Sequence, residues 1–225
     1  MASEGRMMEE RSQKAFVVLN SIFVGSLVIA SVLASKIITV FGMVVPAGVL
    51  AYCITFVVTD VVSELWGRAK ANTVVLGGFV ALFVSLLLVR LALLWPPAVF
   101  WPHDPAFRTI LDSTSRIIVA SFSAYLLSQY HDVWAFHLLR RLTGGKHLWI
   151  RNNLSTAVSQ LIDTVVFITI AFYGVMPVVP LILGQWVLKL TIALLDTPVV
   201  YAVVWLLKTR RWAPPEPALQ PSAVR

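Results

Sequence analysis

Two stretches of the chain carry the same arrangement of an amide, a carboxylate and an aromatic side chain. The two copies are Gln129, Asp132 and Phe136, and Gln160, Asp163 and Phe167. The shared spacing, Gln-x-x-Asp-x-x-x-Phe, places the three side chains of each copy on one face of a helix. A single copy is explained by polar contacts between neighbouring helices, whereas two copies predict a cavity lined by polar groups.

Such a cavity suits a planar ligand that is rich in N–H donors. A guanine-like edge offers its N1–H and 2-amino group to one carboxylate, and its carbonyl accepts from an amide or a cation. The ring of Phe136 or Phe167 can stack on the ligand. Many amines and vitamins have similar donors, so these residues define a type of ligand and not one compound.

A second polar group, Asp60 and Glu64, lies near the end of an apolar run. The two carboxylates are four residues apart and therefore share a helix face. They have two interpretations. They lie among lipid headgroups beside Arg68, or they bind a proton or another cation, which adjacent like charges favour.

Lys189 and Asp196 are the charged residues of the last apolar run, and their seven-residue separation places them on one face. A charge near the bilayer centre costs roughly 2.5–3.5 kcal/mol even on the lenient insertion scale, so it needs a partner or a task. Lys189 either forms an internal ion pair, with Asp196 or with Asp163, or acts directly on the ligand or in coupling.

Six apolar runs must position these residues. The 225 residues are 58% hydrophobic and 13% charged, with a mean hydropathy of +0.82. A backbone surrounded by lipid must satisfy its own hydrogen bonds, so the runs are helical. We predict an all-α integral membrane protein, a bundle of six transmembrane helices over residues 15–207, with a leader (1–14) and a proline-rich tail (208–225). The runs are Ala15–Ser35, Pro46–Leu65, Asn72–Trp95, Ser115–Leu139, Asn153–Tyr173 and Pro180–Leu207.

The basic residues predict the orientation of this bundle. Lysine and arginine concentrate in alternate segments, and the intervening segments hold only Lys36 and Arg108. By the positive-inside rule, both termini are predicted to lie in the cytoplasm. We expect the membrane to be the inner membrane of a bacterium. The net charge of +7 is therefore explained by orientation, and no nucleic-acid partner is expected.

Three further segments carry structural predictions. The stretch from Ile37 to Tyr52 is either a re-entrant, partly unwound segment or a plain hairpin. The segment Trp95–Thr114 contains four prolines and is predicted to be irregular. Ala30 and Ala34 have the small-x-x-x-small spacing of closely packed helices, and this surface is also a candidate for homodimerisation or for docking a partner.

The patterns of common enzymes are missing from the sequence. Its four histidines form no zinc pair at helical i, i+4 spacing, and it has no Gly-x-Ser-x-Gly elbow. One cysteine, Cys53, cannot build a disulfide framework or a thiolate cluster. We therefore expect no catalytic residues, no metal and no cofactor.

The polar motifs together resemble the queuosine precursor transporter family, also called the vitamin uptake transporter family. The resemblance runs from about Ser21 to Leu207, and Lys189, Pro198 and Tyr201 are similarly arranged in the last run. The matching strings are Thr59-Asp60-x-x-x-Glu64-x-x-Gly67, Arg116-x-x-x-Ala120-Ser121-x-x-Ala124-Tyr125-x-x-x-Gln129-x-x-Asp132 and Arg151-Asn152-Asn153-x-Ser155-Thr156-x-x-Ser159-Gln160-x-x-Asp163-Thr164.

This resemblance implies import of 7-deazaguanine precursors of queuosine, a modified base of tRNA anticodons. At matched positions, Asp132 or Asp163 is expected to bind the guanine-like edge. Gln129, Gln160 and Asn153 are expected to serve as amide partners, and Arg116 and Lys189 to balance buried carboxylates. An alternative keeps the ligand and makes the chain a substrate-capturing subunit that needs an ATPase partner, since no P-loop is present.

Overall fold

The computed structural model describes residues 2–142, 148–210 and 212–214. Within its helices, no side chain is described for residues 2–5, 129–130, 132–133, 136–137, 139–142, 148–157, 193–194 and 196–197. This part of the chain folds into helices and one short hairpin. The elements are α1 (Ala2–Leu33), β1 (Ile37–Val40), β2 (Met43–Pro46), α2 (Val49–Trp66), α3 (Arg68–Leu94), α4 (Asp104–Leu142), α5 (Leu148–Phe172) and α6 (Val178–Thr209).

Four helical segments of the described residues are long and apolar enough to cross a membrane: Arg6–Leu33, Val49–Trp66, Arg68–Leu94 and Asp104–Ser128. Shorter apolar segments follow in α5 and α6, at Val158–Phe172, Val178–Ile192 and Pro198–Thr209. These helices support the predicted class, an all-helical membrane protein. The two-stranded hairpin is the one part of the described chain that is not helical or loop. Six complete spans and two cytoplasmic termini remain predictions.

The start of α4 corrects the prediction that Trp95–Thr114 is irregular throughout, because this helix begins at Asp104. Pro105 occupies the first helical turn, where the missing N–H is not needed and the fixed φ suits a helix. Arg108 donates to Asp104 one turn back and also, at 2.8 Å, to the carbonyl of Leu93 near the end of α3. These contacts join the two helix ends across the loop.

The segment before α2 is a hairpin, one of the two structures predicted for it. Its antiparallel strands are joined by Phe41 and Gly42, with φ angles of 49° and 78°. Positive φ at both central residues matches the turn that suits the twist of a two-residue hairpin. The hairpin packs on α6, where a Cβ added at Gly184 would collide with the carbonyl oxygen of Val44. Val45 is fully buried.

The helices enclose two main apolar clusters. The first joins α1, α2, α3 and α4 around Val62, Val74 and Ile118. The second joins the end of α1 to α4, α5 and α6 around Ile117 and Ile168.

The small residues of α1 pack within the chain. Ala30 and Ala34 are about 95% buried, and a Cβ added at Gly48 would lie 2.5 Å from the Ala30 carbonyl oxygen. The prediction of close packing is confirmed. Gly48 and its neighbours cover this surface in the described structure, and homodimerisation or docking of a partner stays a prediction.

Candidate functional site

A cavity of about 60 Å³ lies in the half of the bundle next to the hairpin. Every helix contributes to its wall: α1 from Leu27 to Ala34, α2 through Val49 and Tyr52, and α3 through Leu82. Helices α4, α5 and α6 supply the opposite side. The polar residues among those that line it are Ser31, Tyr52, Ser121, Asp163, Gln185 and Lys189.

The centre of this cavity lies deep along two helices. At about 1.5 Å per residue, Asp163 is roughly 14 Å from the end of α5 at Phe172. Lys189 is about 16 Å from the start of α6 at Val178. Both charges therefore lie well inside their helices, and a buried charge is expensive unless it is paired.

Asp163 and Lys189 form an ion pair across the α5–α6 contact. Lys189 Nζ donates to Asp163 Oδ2 at 2.6 Å, and the two side chains are 6% and 18% exposed respectively. The ammonium also lies 5.8 Å from the ring centroid of Tyr52, within range of a cation–π contact. Of the two partners predicted for Lys189, the described structure shows Asp163. The Asp196 side chain is outside the described residues.

Two serines add hydrogen-bond acceptors to the wall of the cavity. Ser31 donates its hydroxyl to the Val28 carbonyl at 2.7 Å, and Ser121 donates to the Ile117 carbonyl at 3.0 Å. A hydroxyl has one proton and two lone pairs, so each serine retains acceptor capacity toward the cavity. Together with the Asp163 carboxylate, they can accept hydrogen bonds from the N–H groups of a ligand.

Gln185 is a cavity residue that sequence reasoning missed. It is 7% exposed, and its Oε1 atom is buried without a hydrogen-bond partner among the described residues. It precedes Lys189 by four residues, so the two share a face of α6. That four-residue spacing from Lys189 is the signal in the sequence that points to Gln185.

The predicted substrate-binding residues have different placements. Phe167 lines the cavity one helical turn after Asp163. Gln160 is half-buried on α5 and is not among the residues that line it. Side chains of the other predicted residues lie outside the described part of the chain, so their predictions stay open: Gln129, Asp132, Phe136 and Asn153.

Arg116 joins α4 to the end of α5. Its Nε donates to the Ile170 carbonyl at 2.6 Å, and one terminal nitrogen donates to the Tyr173 carbonyl at 2.7 Å. Carbonyls in the last turn of a helix have no partner within the helix, so a cation suits this position. In the described structure Arg116 thus donates to main-chain carbonyls and not to the carboxylates that it was predicted to balance. It is also not among the residues that line the cavity.

Asp60 and Glu64 lie at the opposite end of the bundle from the hairpin. Both are exposed, and they line a separate open cleft of about 420 Å³ between α2 and α6. Ser63, Arg68 and Tyr201 complete the polar part of its wall. The proposed coupling carboxylates are therefore distant from the cavity that contains Asp163.

A bundle of long apolar helices around a buried polar cavity indicates a multi-pass membrane protein. The family described as putative vitamin uptake transporters matches residues 46–203, and the chain belongs to this family. It is 32% identical over 179 residues, 78% of each chain, to a probable queuosine precursor transporter of Bacillus subtilis.

Two further relatives carry similar names. One, a probable queuosine precursor transporter of Haemophilus influenzae, is 31% identical over 56% of this chain and 51% of its own. The queuosine precursor transporter of Escherichia coli is 26% identical over 60% of this chain and 59% of its own. No solved structure matches the chain. The family and its members support a transporter role.

Proposed function

We propose that this chain is a six-span inner-membrane transporter that imports queuosine precursors, namely 7-cyano-7-deazaguanine, 7-aminomethyl-7-deazaguanine or queuine. The observation that carries the proposal is the buried polar cavity around the Asp163–Lys189 pair. The names of the relatives supply the substrate class.

The polar and aromatic groups that line the cavity have the chemistry to bind a 7-deazaguanine ring. The Asp163 carboxylate accepts from the ring N1–H and 2-amino group, and Lys189 donates to the neighbouring ring carbonyl. Phe167 supplies an aromatic face for stacking. Lys189 occupies Oδ2 of Asp163 in the ligand-free chain. When the substrate binds, it therefore replaces the hydrogen bond between Lys189 and Asp163 with its own hydrogen bonds to these two side chains.

The described form is too narrow for the substrate. Its cavity of about 60 Å³ is far below the roughly 300–1,000 Å³ of typical ligand pockets. The transport cycle therefore includes a wider form in which the helices around Asp163 separate. We assign Gln129, Asp132, Asn153, Gln160 and Phe136 to the surface that lines the path in that form.

Uptake by the purified chain alone tests this function. The protein is reconstituted in liposomes, and labelled 7-deazaguanine bases are supplied with guanine as competitor. Saturable uptake that favours a deazaguanine is the expected result. Binding without uptake would favour the alternative of a capturing subunit that needs an ATPase partner. No binding would overturn the substrate class.

A matched pair of variants connects the uptake to the cavity. Asp163→Asn removes the buried carboxylate and is expected to abolish uptake. Asp112→Asn removes a carboxylate that is 71% exposed and pairs with exposed Arg90. The control should transport like the original chain, because an exposed ion pair contributes little. Equal uptake by both variants would remove Asp163 from the site.

A further inference from the structure

We infer that Gln185 determines specificity, because its amide oxygen accepts the N–H of the five-membered ring of the substrate and thereby rejects nucleosides. This inference rests on the proposed function and assigns one further contact within the same cavity. It begins from the Gln185 Oε1 atom, which is buried without a partner among the described residues.

An unpaired buried acceptor requires an explanation. Burial of a polar atom without a hydrogen bond destabilises a fold, and the great majority of such atoms are paired. The Gln185 side chain is more than nine-tenths buried and lines the cavity. A ligand N–H placed there would supply the missing hydrogen bond. Binding would then remove the free-energy penalty of the unpaired oxygen, which increases the affinity for a ligand that carries this N–H.

The positions of the neighbouring groups select which ligand N–H this is. Gln185 and Lys189 are one turn apart on α6, which separates their Cβ atoms by roughly 5–6 Å and directs both side chains from the same helix face. Lys189 contacts Asp163 on α5. The wall therefore presents an acceptor, a donor and an acceptor in sequence.

A 7-deazaguanine base has the complementary order. Its N1–H and 2-amino group are donors, its ring carbonyl is an acceptor, and the N–H at position 9 of the five-membered ring is a second donor. When Asp163 binds the first donors and Lys189 the carbonyl, the position-9 N–H remains for Gln185. In a nucleoside this nitrogen carries ribose and cannot donate. The Gln185 oxygen would then face the ribose-bearing nitrogen without a hydrogen bond. A site built to bind an N–H strongly rejects an analogue that lacks it.

Trp186 provides a matched control next in the chain. Its Nε1 atom is also buried without a hydrogen-bond partner among the described residues, but Trp186 does not line the cavity. Trp186→Phe removes that unpaired donor, and Gln185→Met removes the unpaired acceptor with an unbranched side chain of similar length. Gln185→Met should not lower the melting temperature of the ligand-free protein, because it removes an unsatisfied polar atom and keeps the length of the side chain.

The test measures binding of 7-cyano-7-deazaguanine and its 9-methyl analogue to the purified full chain. We expect the original chain to bind the base at least about tenfold more tightly than the analogue. Gln185→Met should lose about tenfold in affinity for the base and keep its affinity for the analogue, so the two changes do not add. Trp186→Phe should bind both compounds like the original chain.

The outcomes separate the two proposals. If the original chain binds no deazaguanine, the proposed function fails and the inference fails with it. If the chain binds the base but Gln185→Met binds it equally well, only the role of Gln185 is overturned. If Gln185→Met loses the same factor in affinity for the base and for the 9-methyl analogue, the role of Gln185 is also overturned. If that variant does not fold, the original chain alone provides the test. Equal affinities of the original chain for the base and its 9-methyl analogue would contradict the inference.

Discussion

Lys189 on α6 and Asp163 on α5 form a 2.6 Å ion pair at about half the depth of the bundle. A buried ion pair is weak support for stability, because well-packed apolar residues often serve as well or better. Its presence among the apolar residues of these two helices therefore favours a functional role. A combination of variants can separate that role from a purely structural one.

Asp163→Asn, Lys189→Met and the combination of both test the ion pair. Lys189→Met leaves a buried carboxylate without its cation and should lower the free energy of unfolding by roughly 3–5 kcal/mol. The double variant removes both charges and should recover most of that loss. Uptake should stay absent in all three variants if the pair contacts substrate. Recovery of uptake together with stability in the double variant would make the pair structural.

Arg116→Gln tests the junction of α4 with the end of α5. It removes charge-assisted hydrogen bonds to the carbonyls of Ile170 and Tyr173, and we expect a loss of roughly 2–3 kcal/mol in unfolding free energy. Arg90→Gln is the control and should change stability by less than about 0.5 kcal/mol, because its partner Asp112 is exposed. Loss of uptake at an unchanged melting temperature would instead support the predicted charge-balancing role of Arg116.

Gly184→Ala tests the contact of the hairpin with α6. The new Cβ would overlap the Val44 carbonyl oxygen, so the strand must move, at a cost of about 1–3 kcal/mol. Gly25→Ala is matched in chemistry and also lies within a helix, but it meets nothing within 4 Å. The control should therefore be as stable as the original chain or slightly more stable, since alanine favours helix. Equal melting temperatures for the two variants would contradict the close contact.

Asp60→Asn and Glu64→Gln test proton coupling at the cleft between α2 and α6. In liposomes with an imposed proton gradient, the original chain should accumulate more substrate than without it. Each variant should lose that response and still exchange substrate, because the carboxylates lie apart from the central cavity. If collapse of the gradient leaves uptake by the original chain unchanged, coupling is excluded. Transport would then be facilitated diffusion.

Much of the helical arrangement could be predicted because lipid restricts the backbone so strongly. A long apolar run must be a helix, and four of the predicted runs recur as helices long enough to span a membrane. The start of α4 was missed because Pro105 was treated as a helix breaker. Its position in the first turn, where proline is compatible with a helix, depends on the loop before it.

The sequence by itself determined which residues share a face of one helix, since a period of 3.6 residues follows from backbone geometry alone. It thereby grouped Asp163 with Phe167 and identified Lys189 as an unusual charge. Only the tertiary structure decided what each face meets. It paired Lys189 with Asp163, placed Gln185 in the cavity, and covered Ala30 and Ala34 with Gly48. These relationships depend on how each helix is rotated against its neighbours, and the packing of the whole bundle sets that rotation.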